Sequence, residues 1–178
     1  GMEETPAVTT PLPARGELRV QRGRPRHSEQ IATLFNRLRP SQPKITSEDV
    51  MADFGEKAFL LLEQDNRMVG AIGWQVENLV ARTTDLYLDP SVQPTRALPI
   101  LMREVEKASR DLQCEASLLF IQPELARLEL VWKELGYSQR TPETLGVQAW
   151  REAAIESMPP GTVLFFKQLR VDRVLRPI

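Results

Sequence analysis

The chain has 178 residues, 42% of them apolar and 26% charged, and its formal net charge is −1. This length suits a single domain, and the balanced charge provides no field that would attract nucleic acid or an anionic membrane. The lone cysteine, Cys114, excludes an internal disulfide, and the single histidine argues against a structural zinc site. No apolar run approaches the roughly 18 residues of a membrane span, and no signal peptide is visible. We therefore expect a cytoplasmic protein with no metal site and with neither nucleic acid nor membrane as a partner.

The two ends of the chain differ from its middle in composition. Residues 1–15 contain three prolines and few large apolar side chains, a composition typical of a flexible tail. Residues 171–178 read as a second tail, a docking segment or solvated end rather than a nucleic-acid patch. A single domain is therefore expected over residues 16–170.

The first half of the chain predicts two helices and three long strands. An alternating strand at residues 18–21 precedes a helix whose apolar face is formed by Ile31, Leu34, Phe35 and Leu38. Thr46, with an acid three residues later, begins a second, short helix. Three apolar runs follow, joined by tight turns at 64–67 and 77–78, and they cover residues 58–63, 68–76 and 79–88. Runs joined in this way predict an antiparallel meander.

The second half alternates helices with short strands. Apolar spacing predicts a helix over about 96–113 with Thr95 as its N-cap, and a further helix over 123–136. Strands are expected at 116–121, 138–140 and 163–168. An extra helix over 142–158 falls between the last two strands; it could cover a neighbouring site, form a dimer contact or be a peripheral decoration. The full order predicts an α/β protein, a mixed sheet with helices on both faces.

The segment from Asp85 to Met102 carries the clearest functional signal. It predicts a strand ending in Asp89-Pro90, a short loop and the start of a helix. The first turn of a helix presents unpaired backbone N–H groups and the positive end of the helix dipole. Such an arrangement is a candidate anion site.

Four segments, in order, resemble motifs of the GNAT (GCN-five-related) acetyltransferases: ELRVQRGRPRHSEQIATLFNRL, MVGAIGW, DLYLDP and VWKELGY. The resemblance extends over residues 17–169. It implies the GNAT fold, acetyl-CoA as the donor, and a small-molecule or peptide amine as the acceptor. A homodimer would follow if the extra helix over 142–158 forms the dimer contact.

The resemblance implies a cofactor site in this same segment. It assigns donor contacts to the strand residues Leu86, Tyr87 and Leu88 and to the loop and helix residues Gln93, Thr95, Arg96, Ala97 and Leu98. The family loop reads Arg/Gln-x-x-Gly-x-Gly/Ala, whereas here Arg96 and Leu98 replace the two small residues and a proline follows. Small residues allow backbone N–H groups to approach a pyrophosphate closely. Arg96 could bind phosphate directly instead, or be a surface arginine.

A second departure concerns the acid that protonates the leaving thiolate. The family often places a tyrosine four residues before the glycine of its VWKELGY-like helix, and here that position is Trp132. An indole N–H is too weak an acid for this step. Trp132 is therefore a core or rim aromatic, or a wall of the acceptor pocket. The resemblance gives Tyr137 a packing role.

Two carboxylates are candidates for the base that deprotonates the acceptor amine, Asp85 and Glu77. Glu77 could equally lie in a solvated turn, and Asp85 could be ion-paired with Arg82 or Arg96. The sequence leaves two functions open: an acyl-CoA-dependent N-acetyltransferase, or a GNAT-fold protein that has lost catalysis and senses a ligand or binds a partner.

Overall fold

The protein, described from residue 15 to residue 171 of a computed structural model, is built on one seven-stranded sheet. The strand order is β1-β2-β3-β4-β5-β7-β6. Every neighbouring pair is antiparallel except β4 and β5, which run parallel. The strands are β1 (Leu18–Arg22), β2 (Ala58–Gln64), β3 (Arg67–Glu77), β4 (Val80–Leu88), β5 (Ala116–Ile121), β6 (Ser138–Arg140) and β7 (Val163–Gln168). The predicted mixed sheet and its antiparallel meander are confirmed. The two predicted tails fall almost wholly outside the described residues.

Six α-helices cover the two faces of the sheet. They are α1 (Ser28–Leu38), α2 (Ser47–Asp53), α3 (Pro94–Asp111), α4 (Pro123–Ala126), α5 (Glu129–Glu134) and α6 (Gln148–Ser157). Short 3-10 turns precede α1 and α6. Within residues 15–171, no helix combines the length and the apolar character that a membrane crossing requires.

Alternation of side chains along the strands gives each face of the sheet its own apolar packing. On one face, α3 and α5 pack their apolar side chains, Trp132 among them, against residues such as Leu86 and Leu119. On the other face, α1 and α2 cover the β2–β3–β4 half around Phe59. The predicted extra helix, α6, lies beside them on the β4–β5–β7 half, where Trp150 packs on Phe166. Trp150, Ala153 and Ala154 are buried while Ile155 is 70% exposed, so one face of α6 belongs to the core.

Two helix predictions need correction. The helix expected from residue 96 begins at Pro94, and Gln93 rather than Thr95 occupies the N-cap position, without a side-chain capping bond. Proline suits this first helical position because its missing N–H would have no intrahelical partner there. The helix expected over 123–136 is divided into α4 and α5 at Leu128, whose backbone is not helical. This break lets the indole N–H of Trp132 donate to the carbonyl of Leu125, at 2.8 Å.

Asp89 closes the turn that follows β4. Its carboxylate, largely buried, pairs with Arg37 of α1, and the N–H of Ser91 donates to its Oδ1 at 2.9 Å. The Arg37 hydrogen bond, followed by the Ser91 N–H, lowers the pKa of Asp89 to about 2. The end of β4 is therefore joined to α1 by an ionised carboxylate.

We predict an acid-sensitive contribution of Asp89 to stability. Because its folded-state pKa is depressed, the stabilisation is complete above about pH 4 and is lost as the pH falls toward 2. At pH 7 the Asp89→Asn variant should be less stable than wild type by about 2 kcal/mol in urea unfolding. The difference should shrink progressively below pH 4. Asp111→Asn, a change at an exposed carboxylate with no ion pair in the described structure, is the matched control and should change stability at pH 7 by no more than about 0.5 kcal/mol. A pH-independent Asp89→Asn difference would contradict this assignment.

Candidate functional site

The parallel strands β4 and β5 separate partway along their length. They pair over only four positions, from Val80–Ala116 to Thr83–Leu119. A bulge at Thr84 follows, since Trp74 of β3 pairs with Thr83 whereas Gly73 pairs with Asp85. Beyond the bulge, β4 stays paired with β3 and β5 with β7. Every second residue of 84–88 therefore directs its backbone N–H and C=O into a gap instead of toward a neighbouring described strand.

A slot opens at the wide end of this gap, and we call it the β4–β5 slot. Its volume is about 460 Å³, within the usual range for small-molecule sites. One wall is the loop after α1, a second is the end of β4, and a third is the segment after β5. The lining residues are Leu38, Arg39, Pro40, Ser41, Gln42, Leu86, Tyr87, Leu88, Pro90, Gln122, Glu124 and Leu125.

Arg39 places a fixed positive charge on the wall of the slot. Its Nε and Nη2 both donate to Oε1 of Gln42, at 3.0 and 2.6 Å. Its remaining nitrogen, Nη1, is buried and has no acceptor in the described part of the chain. The guanidinium also opposes the rise in the pKa of Tyr87 that burial and the Asp85 charge cause. An anionic group in the slot would find a cation already held in place.

The first turn of α3 offers fewer free donors than a helix start usually does. Pro94 has no N–H, and the N–H groups of Arg96 and Ala97 both donate to the carbonyl of Gln93, at 3.0 Å. Among the described residues, only the N–H of Thr95 lacks an acceptor in this turn. The anion site expected from the sequence is therefore reduced to one backbone donor and whatever side chains can reach it.

Comparison with solved structures identifies this architecture. A GNAT-family acetyltransferase from Staphylococcus aureus superposes with a TM-score of 0.67 at 12% identity, covering 86% of this chain and 100% of its own. An acetyltransferase from Streptococcus agalactiae gives a TM-score of 0.65 at 16% identity, with 85% and 98% covered. The chain has the GNAT fold. The PaiA N-acetyltransferase from Thermoplasma acidophilum, solved in complex with coenzyme A, gives a TM-score of 0.61 at 12% identity, with 85% and 99% covered. No protein-family model and no curated protein sequence matches the chain.

On the GNAT fold, the predicted donor residues divide into two groups. Leu86, Tyr87 and Leu88 line the β4–β5 slot. The other five, Gln93, Thr95, Arg96, Ala97 and Leu98, do not line it. The side chains of Ala97 and Leu98 are fully buried in the core, so Leu98 does not obstruct the helix start from outside. The guanidinium of Arg96 lies toward β1, with Nη2 3.4 Å from the carbonyl of Gly16.

Neither Trp132 nor Tyr137 is placed to act as an acid near the slot; of the two tyrosines, only Tyr87 lines it. Trp132 is fully buried, and its ring lies 5.4 Å from Phe165 and 6.1 Å from Tyr137, centroid to centroid. The hydroxyl of Tyr137 donates to Oγ of Ser117 at 2.8 Å, and burial raises its pKa far above the usual value. Both residues are parts of the core, which confirms the packing interpretation of Tyr137.

Asp85 lies immediately after the bulge, where the strands part. Its Oδ2 is 2.9 Å from Nζ of Lys57, and the hydroxyl of Thr84 donates to the same oxygen at 3.3 Å. The side chains of Lys57 and Asp85 are 19% and 18% exposed, so water can reach both. The expected ion pair exists, but its partner is Lys57 rather than Arg82 or Arg96. Gly73 opposite makes room, because a Cβ there would lie 2.7 Å from Oδ2 of Asp85.

Glu77, the other candidate base, lies elsewhere. It is four residues beyond Gly73, the partner of Asp85 on β3, which corresponds to roughly 13 Å along the strand. Its side chain is 63% exposed and is 3.8 Å from the guanidinium of buried Arg82. Nη1 of Arg82 also reaches Glu156 and Ser157 at the end of α6, at 3.2 and 2.9 Å. Glu77 thus belongs to the contact that holds α6 on β4.

Sequence reasoning missed Lys57, Arg39 and Gln122. Lys57 precedes β2 without any motif, and its contact with Asp85 spans 28 residues. Arg39 and Gln122 lie in loops that come together only through the fold. An arginine directly before the proline that ends α1 was the one available signal, and by itself it indicates no more than a helix end.

Proposed function

We propose that the protein is an acyl-CoA-dependent N-acetyltransferase that acts on the amine of a small molecule or peptide. The separation of β4 and β5 at Thr84 carries this proposal, because it leaves an unpaired strand edge beside a slot of suitable size. The shared fold of a relative solved with coenzyme A adds support.

The residues present fit acetyl-CoA along β4 better than at the start of α3. The slot walls are largely apolar, and the free edge of residues 84–88 can hydrogen-bond the amides of a pantetheine arm. Arg39, the N–H of Thr95 and the side chain of Arg96 are the groups available for the phosphates. A guanidinium can replace lost backbone donors because it binds phosphate oxygens in pairs. Bound acetyl-CoA would supply an activated thioester.

The chemistry assigned to this chain is deprotonation and carbonyl polarisation. Asp85, held by Lys57 and Thr84, accepts the proton of the acceptor ammonium directly or through one water. Backbone N–H groups on the free edge of β4 stabilise negative charge on the carbonyl oxygen. Since Trp132 and Tyr137 are sealed in the core, the proton needed by the departing thiolate comes from solvent or from the hydroxyl of Tyr87, which lines the slot.

A second function is favoured by specific observations: a GNAT-fold protein without catalysis that senses a ligand or binds a partner. The position at which the family often has its acidic tyrosine holds the buried Trp132. In the first turn of α3, the carbonyl of Gln93 accepts from the N–H groups of Arg96 and Ala97, which are then not free for a phosphate. Such a protein could still bind an acyl-CoA in the slot while transferring nothing. The two functions differ in turnover, not in fold.

Titration with acetyl-CoA tests the proposal. A ligand at about 100 times its Kd stabilises the fold by about 2.7 kcal/mol, which a thermal-shift measurement detects readily. Binding together with thiol release in the presence of amines supports the enzyme. Binding without thiol release supports the sensor, and an absence of binding at millimolar acetyl-CoA contradicts both uses of the slot.

A further inference from the structure

A second cavity lies at the opposite end of the sheet from the β4–β5 slot, and we call it the basal groove. Its volume is about 790 Å³. It is bordered by the end of β1, the turn before β2, the end of β3 and the last turns of α3. Its lining includes Phe54, Trp74, Val76, Glu104, Asp111 and Leu112.

The floor of the groove is apolar but contains one unused hydrogen-bond donor. Trp74 is 93% buried (7% exposed), yet its indole N–H has no acceptor among residues 15–171. The nitrogen is not sealed in the core, and Trp74 is one of the residues that line the groove. The other two tryptophans donate to Leu125 and Glu115. A ligand in the groove could accept from this free indole N–H while the rest of the Trp74 side chain stays buried.

The rim of the groove is negatively charged. Glu56, Glu104 and Asp111 are exposed and form no ion pair or side-chain hydrogen bond in the described structure. Of the two cations that line the groove, Lys57 is engaged by Asp85, which leaves Arg22 alone against three carboxylates. Glu104 and Asp111 lie seven residues apart on α3, two turns along the same face, with Ala108 between them. A ligand in the groove therefore meets apolar walls and an acidic border.

We propose that the basal groove binds a small apolar amine. Its apolar body would rest against Phe54, Val76 and Leu112, the last of which is 58% exposed and has little else to cover it. A carbonyl or hydroxyl oxygen of the ligand accepts from the indole N–H of Trp74. The ammonium group lies toward Glu104 and Asp111. This site is separate from the slot and does not depend on acetyl transfer, although Lys57 borders the groove and bonds Asp85.

Two probes that differ only in charge test the proposal: phenylalaninamide and 3-phenylpropanamide, which lacks the amino group. The three indole N–H signals in a nitrogen–proton correlation spectrum report on Trp74, Trp132 and Trp150 separately, and Trp74→Phe assigns the first. We expect the Trp74 signal to shift saturably while the other two stay in place. The amine should bind about twofold to fivefold more tightly than the neutral probe, the range that partly exposed charge pairs give.

The double variant Glu104→Gln/Asp111→Asn separates the charge contribution from the apolar one, and both changes are at exposed positions that the fold does not need. It should bring the two probes to the same affinity, with the Trp74 signal still shifting. The proposal is overturned if the Trp74 signal stays fixed for both probes up to about 10 mM, where even an inefficient fragment binds appreciably. It is equally overturned if wild type binds both probes alike.

Discussion

Replacing Trp132 with alanine is expected to lower the free energy of unfolding by about 3–5 kcal/mol, the usual cost of removing a buried indole. The side chain is fully buried between the sheet and α5, in contact with Tyr137 and Phe165. The change would leave a cavity and strip the Leu125 carbonyl of its donor. Chemical denaturation of both proteins measures the difference.

Leu130→Ala on the same helix is the matched control. Leu130 is 74% exposed, so its loss should change stability by no more than about 0.5 kcal/mol. The milder Trp132→Phe change removes the indole N–H but keeps most of the volume. If the enzyme is active, this variant should retain the wild-type kcat, because the indole is not the acid. A large loss of kcat in a folded Trp132→Phe protein would indicate that Trp132 takes part in catalysis.

Asp85→Asn is expected to lower kcat/KM for acetyl transfer by about 10²- to 10⁴-fold, the typical contribution of a general base. The amide cannot accept the ammonium proton. The side chains of Asp85 and Lys57 are only 18% and 19% exposed, so loss of the pair should also lower the free energy of unfolding, by about 1–3 kcal/mol. The effect is measured by steady-state kinetics that follow thiol release, with the concentration of one chosen amine varied at saturating acetyl-CoA.

Glu77→Gln provides the matched comparison, since it makes the same chemical change at the other candidate. Glu77 is 63% exposed and lies toward Arg82 and α6, so activity should remain close to wild type. The opposite pattern, with activity lost in Glu77→Gln and kept in Asp85→Asn, would move the base to Glu77. Full activity in both variants would show that water alone deprotonates the acceptor.

The elements could be predicted well because each depends on local chemistry. The turn at Asp65 and Asn66 is an example, since both residues adopt positive φ angles, of 51° and 62°, that their side chains tolerate. The meander, the mixed sheet and α6 follow from apolar spacing. Helix boundaries were less accurate. Pro94 begins α3 where a side-chain cap at Thr95 had been expected, and the non-helical Leu128 splits the next helix.

The candidate site could be predicted only where it lies on one strand. Leu86, Tyr87 and Leu88 line the slot. Asp85 precedes them on the same strand, β4, and all four belong to the DLYLDP segment. Leu98 was expected to add bulk at the phosphate loop, yet its side chain points into the core. That outcome depends on the rotation of α3, which a loop motif does not reveal. Arg39 and Lys57 reach the region through contacts between distant segments.

Calorimetric titration of acetyl-CoA into wild type and into Ser41→Trp tests the central claim most directly. Ser41 is exposed and lines the β4–β5 slot, so an indole at this position would fill it. Gln139→Trp, an equivalent change on the exposed strand β6, is the control. The proposed function requires one acetyl-CoA per chain in wild type and in Gln139→Trp, and at least tenfold weaker binding in Ser41→Trp. No heat of binding in wild type, or equal affinity in all three proteins, would show that the slot is not the acyl-CoA site.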